Sequence, residues 1–299
     1  MSTTPGPATD GEIPAYLAAV GLAGLVDIHV HFLPEPMLRK VWAFFDEAGV
    51  RYGVPWPITY RFDEPTRLRV ARRLGMRVIP ALTYPHKPGM ATWLNEWCRE
   101  FADRVPDAVH CATLYPEPGV GDYVAAAVTA GARLFKVHLQ VGEFAADDAL
   151  LDPAWAVLAE HRVPVVLHGG SAPAPGRHTG PDGVGRLLGR HPGLVLVIAH
   201  LGMPEYHAFA DLAERYPGVH LDTTMAGTDF ADRFAPLPAG YRQRLLALGD
   251  RVVLGSDFPN IPYPYAHQLQ ALARLDLGDE WMRRVLWTNG ARLLRLGAD

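Results

Sequence analysis

The stretch VDIHVHF, Val26–Phe32, alternates polar and apolar residues through what otherwise has the composition of a buried strand. Side chains alternate across an extended chain, so Asp27, His29 and His31 share one face while Val30 points the other way. Two imidazoles two residues apart sit roughly 6.5–7 Å apart at Cα and can reach a single ion. Such a strand asks for a fold in which one strand face opens on a polar site.

Seven further strand-like runs follow it: MRVIPALTY (76–84), DAVHCATLYP (107–116), RLFKVHLQV (133–141), VPVVLHGG (163–170), LVLVIAHLG (194–202), GVHLDTTMA (218–226) and RVVLGSDFP (251–259). Longer amphipathic segments separate them, among them TWLNEWCREFADR, PAWAVLAEH and PEYHAFADLAERY. Strand and helix alternating eight times over this length predict an α/β fold, a parallel (β/α)8 TIM barrel. A doubly wound sheet is the alternative, but no strand leads into GxGxxG and GxxxxGK[ST] is absent.

Residues 1–24 open with a polar, Pro- and Gly-bearing stretch and are expected to form a mobile tail, leaving residues 25–299 as one barrel domain. Between the first strand and the first regular helix, about residues 32–65 form a segment too long for a simple loop and too aromatic for disorder. It is expected to be a folded insertion capping one end of the barrel.

The chain has 299 residues, 49% hydrophobic and 20% charged, with a formal net charge of −4. No Lys/Arg-rich stripe suggests nucleic acid or an anionic membrane, so a small-molecule substrate is expected. No apolar run approaches membrane-span length, and the N-terminus lacks the basic start of a secretory signal. The two cysteines, Cys98 and Cys111, form neither a disulfide framework nor a CxxC site, and a cytoplasmic setting follows. Lysine occurs only at Lys40, Lys87 and Lys136, against a background of arginine.

In a barrel of this kind, catalytic groups sit at the carboxyl ends of the strands. Those ends carry His29 and His31, Lys136 and His138, His168, His200 and Asp257. His168 is placed to add a third nitrogen. Asp257 can add an oxygen and accept a proton beside a metal. Any one of the 13 histidines alone is more simply a hydrogen-bonded core or surface residue. It is their joint position at strand ends that points to a site.

The ordered set DIHVHF, FKVH, VLHGG, IAHLGMPE and VLGSDFPN resembles the amidohydrolase superfamily, in particular the amidohydrolase-related branch that contains aminocarboxymuconate semialdehyde decarboxylase and many metal-dependent hydrolases. The resemblance runs from about residue 25 to the C-terminus. It implies a distorted (β/α)8 barrel, a divalent metal that is commonly zinc, and a homodimer. Position by position it implies that His29, His31, His168 and Asp257 bind the metal and that His200 is the catalytic histidine.

Some members of that superfamily bridge two metals with a carboxylated strand-four lysine, the position Lys136 would occupy. Lys136 could equally offer an ammonium to a substrate carboxylate or pair with Asp257; one zinc ion is favoured. The reaction expected is hydrolysis of an amide, lactone or ester by an activated water. Decarboxylation of an aromatic or unsaturated acid is the alternative, and it would call for a cationic clamp such as Arg61, Lys87 or Arg177. His138 and, in the insertion, Trp42, Trp56 and Tyr60 are further candidates to meet the substrate. A serine hydrolase built on Ser171, Asp257 and His267, with HGGS as an oxyanion motif, lacks the GxSxG elbow. A non-catalytic metal-binding barrel is the last reading, opposed by the acid/base pair at the strand ends.

Overall fold

The computed structural model describes residues 3–297, which divide into two compact units: one runs up to Ile79 and resumes at Thr223, and the other is Pro80–Asp222. In the second unit the strands Cys111–Thr113, Leu134–His138, Val165–His168, Leu196–Ile198 and Val219–Asp222 lie side by side in chain order, all parallel. The helices Val120–Thr129, Asp152–Glu160, Pro181–Arg190 and Tyr206–Arg215 make the successive crossovers. This is the repeated βαβ pattern that parallel sheets require.

Burial on both faces explains the sequence of these strands. Val137, Leu167, Val166, Val197 and Ile198 are fully buried, so the runs are apolar throughout rather than alternating. Polar exceptions include His138 and His168 at the carboxyl ends of their strands and Lys136 in the middle of its own. His138 is the register partner of His168, which places these two polar strand ends level, and Lys136 is the partner of Val166.

After the Val165–His168 strand, the second glycine of HGG is required for a steric reason. A Cβ on Gly170 would lie 2.3 Å from the carbonyl oxygen of Met203, the same oxygen that accepts from Ala172 N at 3.1 Å. The HGG and HLGMP segments therefore touch through backbone. A methyl group cannot fit between them.

In the first unit the 26–32 stretch is buried and, among the described residues, forms one isolated parallel bridge, Val30 with Phe258, with Leu25 just before it bridging Met76. Its backbone still runs against the 254–258 segment, with Ile28 N donating to Leu254 O, Asp257 N to His29 O and His31 N to Phe258 O. The regular ladder stops because the 254–258 segment turns at Asp257, whose φ is 68°. The expected run 251–259 is correspondingly a regular strand only at Val252–Val253.

The insertion is folded. Helices Glu35–Asp46 and Ala48–Tyr52 are followed by an irregular stretch, and the indoles of Trp42 and Trp56 both bond Asn260, at its side-chain and backbone oxygens. Arg67, on helix Glu64–Arg73, lies over the rings of Phe32 and Trp42.

The N-terminal segment departs from the expected mobile tail. Helix Ile13–Ala19 buries Ile13, Tyr16 and Leu17. Thr4 bonds Asp279 through its N and Oγ1, and Asp10 bonds Tyr60 and the backbone of Ala266. Three buried apolar side chains outweigh the local flexibility of its Gly- and Pro-bearing start.

Cys98 and Cys111 are free and fully buried, and burial pushes the Cys98 thiol up to about 12 against a weak contact with the Thr83 hydroxyl. The native protein should therefore leave both thiols unreactive toward an aromatic disulfide reagent at pH 8 and expose two after denaturation. Rapid native modification would contradict this burial. Gly170→Ala should lower unfolding free energy by about 1–3 kcal/mol in a denaturant titration. An unchanged midpoint would show that the Met203 carbonyl moves aside freely.

Candidate metal centre

The first unit gathers His29, His31 and Asp257. Asp257 Oδ1 lies 2.9 Å from His29 Nε2 and 3.2 Å from His31 Nε2, and one ligand atom from each residue falls within 4.8 Å of the others. His29 and His31 are buried and Asp257 is partly so. One carboxylate oxygen thus faces two imidazole nitrogens where little water can reach them.

Local sequence explains the convergence. His29 and His31 share a face through the two-residue period, and the rings sit 5.1 Å apart at 63°. Asp257 is left-handed, a conformation that aspartate tolerates better than most residues. Its N–H donates to His29 O and its carbonyl accepts from Asn260 N, so the turn is fixed on both sides.

His29 Nδ1 lies 3.1 Å from Thr224 Oγ1. When that hydroxyl accepts from Nδ1–H, the ring is neutral and Nε2 carries the lone pair a metal requires. Two nitrogens and a carboxylate oxygen with this support fit a divalent ion such as zinc. Deeper along the same strand, Asp27 is fully buried; burial pushes its carboxyl up to about 7 while bonds from Ser256, Tyr265 and His29 N pull the other way.

The second unit gathers a separate set. His138 and His168 stack at 4.0 Å and 10°, His168 meets His200 edge-on at 4.8 Å, and Tyr84 lies 5.2 Å from His138. His168 Nε2 is 3.4 Å from Ala172 O. His138 Nδ1 accepts from Val141 N at 3.3 Å. His200 and Leu201 are both left-handed, and His200 N donates to the buried carboxylate of Asp222 at 2.9 Å. Lys136 is 1% exposed, so the amine sits inside the sheet and not on its rim.

Other expected residues fall elsewhere. Lys87 and Arg177 are exposed, and Arg61 is exposed and held by Asp46 at 2.6 and 2.9 Å, so none of the three is a buried clamp. Side chains this accessible satisfy their charge in water. Trp56 is buried in an aromatic cluster, 4.6 Å from Phe230 and 5.1 Å from Phe45. Tyr263, 6.1 Å from Phe230, has its phenol pushed well up by burial and by the Asp257 charge. The Ser171 hydroxyl bonds Thr179 at 3.1 Å and its N–H donates to Glu205. Ser256, Tyr265 and Asn260 carry bonds to the site that sequence alone did not single out. Their only signal was position, Ser256 and Asn260 flanking Asp257 in GSDFPN.

A family model described as amidohydrolase matches residues 26–296. No curated protein matches the sequence. Among solved structures, an uncharacterized TIM-barrel protein, Bb4693 of Bordetella bronchiseptica, is similar with a TM-score of 0.70 at 18% identity, covering 91% of this chain and 98% of its own. A 5-carboxyvanillate decarboxylase of Novosphingobium aromaticivorans, complexed with manganese and a nitrobenzoic acid, has a TM-score of 0.62 at 16% identity over 92% and 97%. A candidate 2-pyrone-4,6-dicarboxylic acid hydrolase of Pseudomonas putida has 0.61 at 17% over 93% and 99%. At these identities the likeness shows the fold, a TIM barrel. The chain belongs to the amidohydrolase family, whose members are metal-dependent enzymes, hydrolases or decarboxylases.

His29→Ala, His31→Ala and Asp257→Ala should each bring bound divalent metal well below one ion per chain by elemental analysis. His207→Ala, on an exposed helix position, should keep it. Full occupancy in any of the three variants would remove that residue from the donor set.

Proposed function

We propose that the protein is a metal-dependent hydrolase that opens an amide, lactone or ester bond in a small molecule. The observation that carries this is the shared position of Asp257 Oδ1 against the Nε2 atoms of His29 and His31. These residues would hold one divalent ion, zinc by the character of the donors. When bound, such an ion supplies Lewis acidity and brings the pKa of a water toward neutrality.

The chain's own groups do the rest. Asp257 accepts the proton of the attacking water and returns it to the leaving group. Thr224 keeps His29 in the tautomer that leaves Nε2 free to bind. The roles of His168 as a further nitrogen donor and of His200 as the group that polarises the scissile carbonyl rest on the family resemblance. His200 is suited to such a role because its backbone is held by Asp222. Lys136 is a substrate contact in this reading. Two buried free cysteines support a cytoplasmic setting.

A second reading, decarboxylation at the same residues, is favoured by one observation. Asn260, bonded to the Asp257 carbonyl, also anchors Trp56, which leads through Phe230 to Tyr263. Such a wall suits a flat unsaturated acid. The exposed positions of Arg61, Lys87 and Arg177 weigh the other way.

The test is a panel of lactone, ester and amide substrates and of aromatic carboxylic acids, followed by product analysis. Turnover should vanish on chelation and return with about one equivalent of zinc, with acid release and no CO2. Turnover that survives chelation would end the metal reading, and CO2 as product would replace hydrolase by carboxy-lyase.

A further inference from the structure

Asp27 belongs to neither the donor set nor the substrate wall, yet its buried carboxylate accepts three hydrogen bonds. Oδ1 accepts from His29 N at 3.1 Å. Oδ2 accepts from Ser256 Oγ at 2.5 Å and from Tyr265 OH at 2.7 Å. The Ser256 hydroxyl has spent its proton on Asp27, and its oxygen accepts from Phe258 N at 3.0 Å. A single carboxylate thereby joins the segment carrying His29 and His31 to the segment carrying Asp257. Ser256, the residue before Asp257, carries that link on to Phe258 N, the residue after it.

The third partner is itself fixed. Tyr265 opens helix Tyr265–Arg274 and is fully buried; its N–H donates to Tyr60 OH at 2.6 Å, and the Tyr60 hydroxyl donates to Asp10. The other Asp10 oxygen accepts from Ala266 N at 2.9 Å. The chain of bonds starts in the N-terminal segment, passes through the insertion and the last long helix, and ends on Asp27.

We propose that Asp27 is a positioning residue: with Ser256 and Tyr265 it fixes the spacing of His29, His31 and Asp257 for a divalent ion. Backbone bonds fix the main chain at Asp257 itself, and the Asp27–Ser256 pair adds side-chain bonds that hold the residues on either side of it. Metal ligands must be held to within about half an ångström, and partners behind the ligands typically change metal affinity by about 10–100-fold. Ser256 supports the Asp257 turn directly, whereas Tyr265 acts only on the carboxylate. Losing Ser256 should therefore cost more than losing the Tyr265 hydroxyl.

This inference rests on the reading that His29, His31 and Asp257 hold the ion, and the experiment separates the two. Metal-free wild type, Tyr265→Phe, Ser256→Ala, Asp27→Asn and His29→Ala are titrated with cobalt(II) against a chromophoric chelator, with near-UV circular dichroism checking the metal-free fold. Tyr265→Phe should weaken cobalt binding about tenfold and Ser256→Ala nearer 100-fold, each with an altered d–d absorption band. Tyr265→Phe removes one oxygen and keeps the ring, so it reports even where Asp27→Asn fails to fold. Wild-type affinity and band shape in Tyr265→Phe and Ser256→Ala, with affinity lost in His29→Ala, would overturn the positioning role alone. Unchanged affinity in His29→Ala would overturn the metal reading beneath it.

Discussion

A partly buried carboxylate oxygen set against two imidazole nitrogens is the constraint around which the first unit is organised. Asp257 Oδ1 lies within 3.2 Å of both His29 and His31. Polar groups brought so close in a water-poor place are costly unless each finds a partner, and here the partners are supplied from behind. Thr224 meets His29, Asp27 takes the His29 N–H, and Asn260 holds the Asp257 carbonyl. The insertion enters for the same reason. Trp42 and Trp56 spend their indole N–H groups on Asn260, so an aromatic cap also stiffens the Asp257 turn.

Left-handed backbone separates structural from chemical demands. Glu143, Arg162, Asp276 and Arg295 have positive φ just beyond helices, where a left-handed residue commonly ends the last turn. His200, Leu201, Met225 and Asp257 have it just beyond strand segments, where no such rule applies. Two of these four are residues to which chemistry is assigned. Strain of this kind persists only where surroundings over-determine it. At His200 those surroundings are Asp222 and the neighbouring Gly202, which is also left-handed and whose Cβ would strike Phe209.

The convergence of His29, His31 and Asp257 was legible because two signals agreed. A period of two placed His29 and His31 on one face, and the strand-end rule added Asp257 from more than 200 residues away. Lys136 and His138 were placed on the fourth strand in the same way, and they are the register partners of Val166 and His168. What the sequence could not carry was anything decided by distant partners. The Gly- and Pro-bearing start gave no sign that Ile13 and Leu17 would be buried or that Asp10 would meet Tyr60. Ser256 and Tyr265 are ordinary residues until Asp27 is seen between them. Strand lengths were overread at 26–32 and 251–259, because apolar composition reports burial and only the backbone path decides whether a ladder is regular.

The division of cations bears on which reaction the site serves. Arginine dominates the basic residues, and Arg61 and Arg177 lie exposed at the surface, Arg61 held by Asp46. Lysine is used three times, and one of the three is placed inside the sheet at 1% exposure. Arginine at that place would stay charged at any accessible pH and would need a fork of acceptors, whereas an amine can shed its proton, pair with one carboxylate, or react with CO2. Replacing Lys136 by arginine would therefore keep a positive charge while removing every option that depends on a neutral amine.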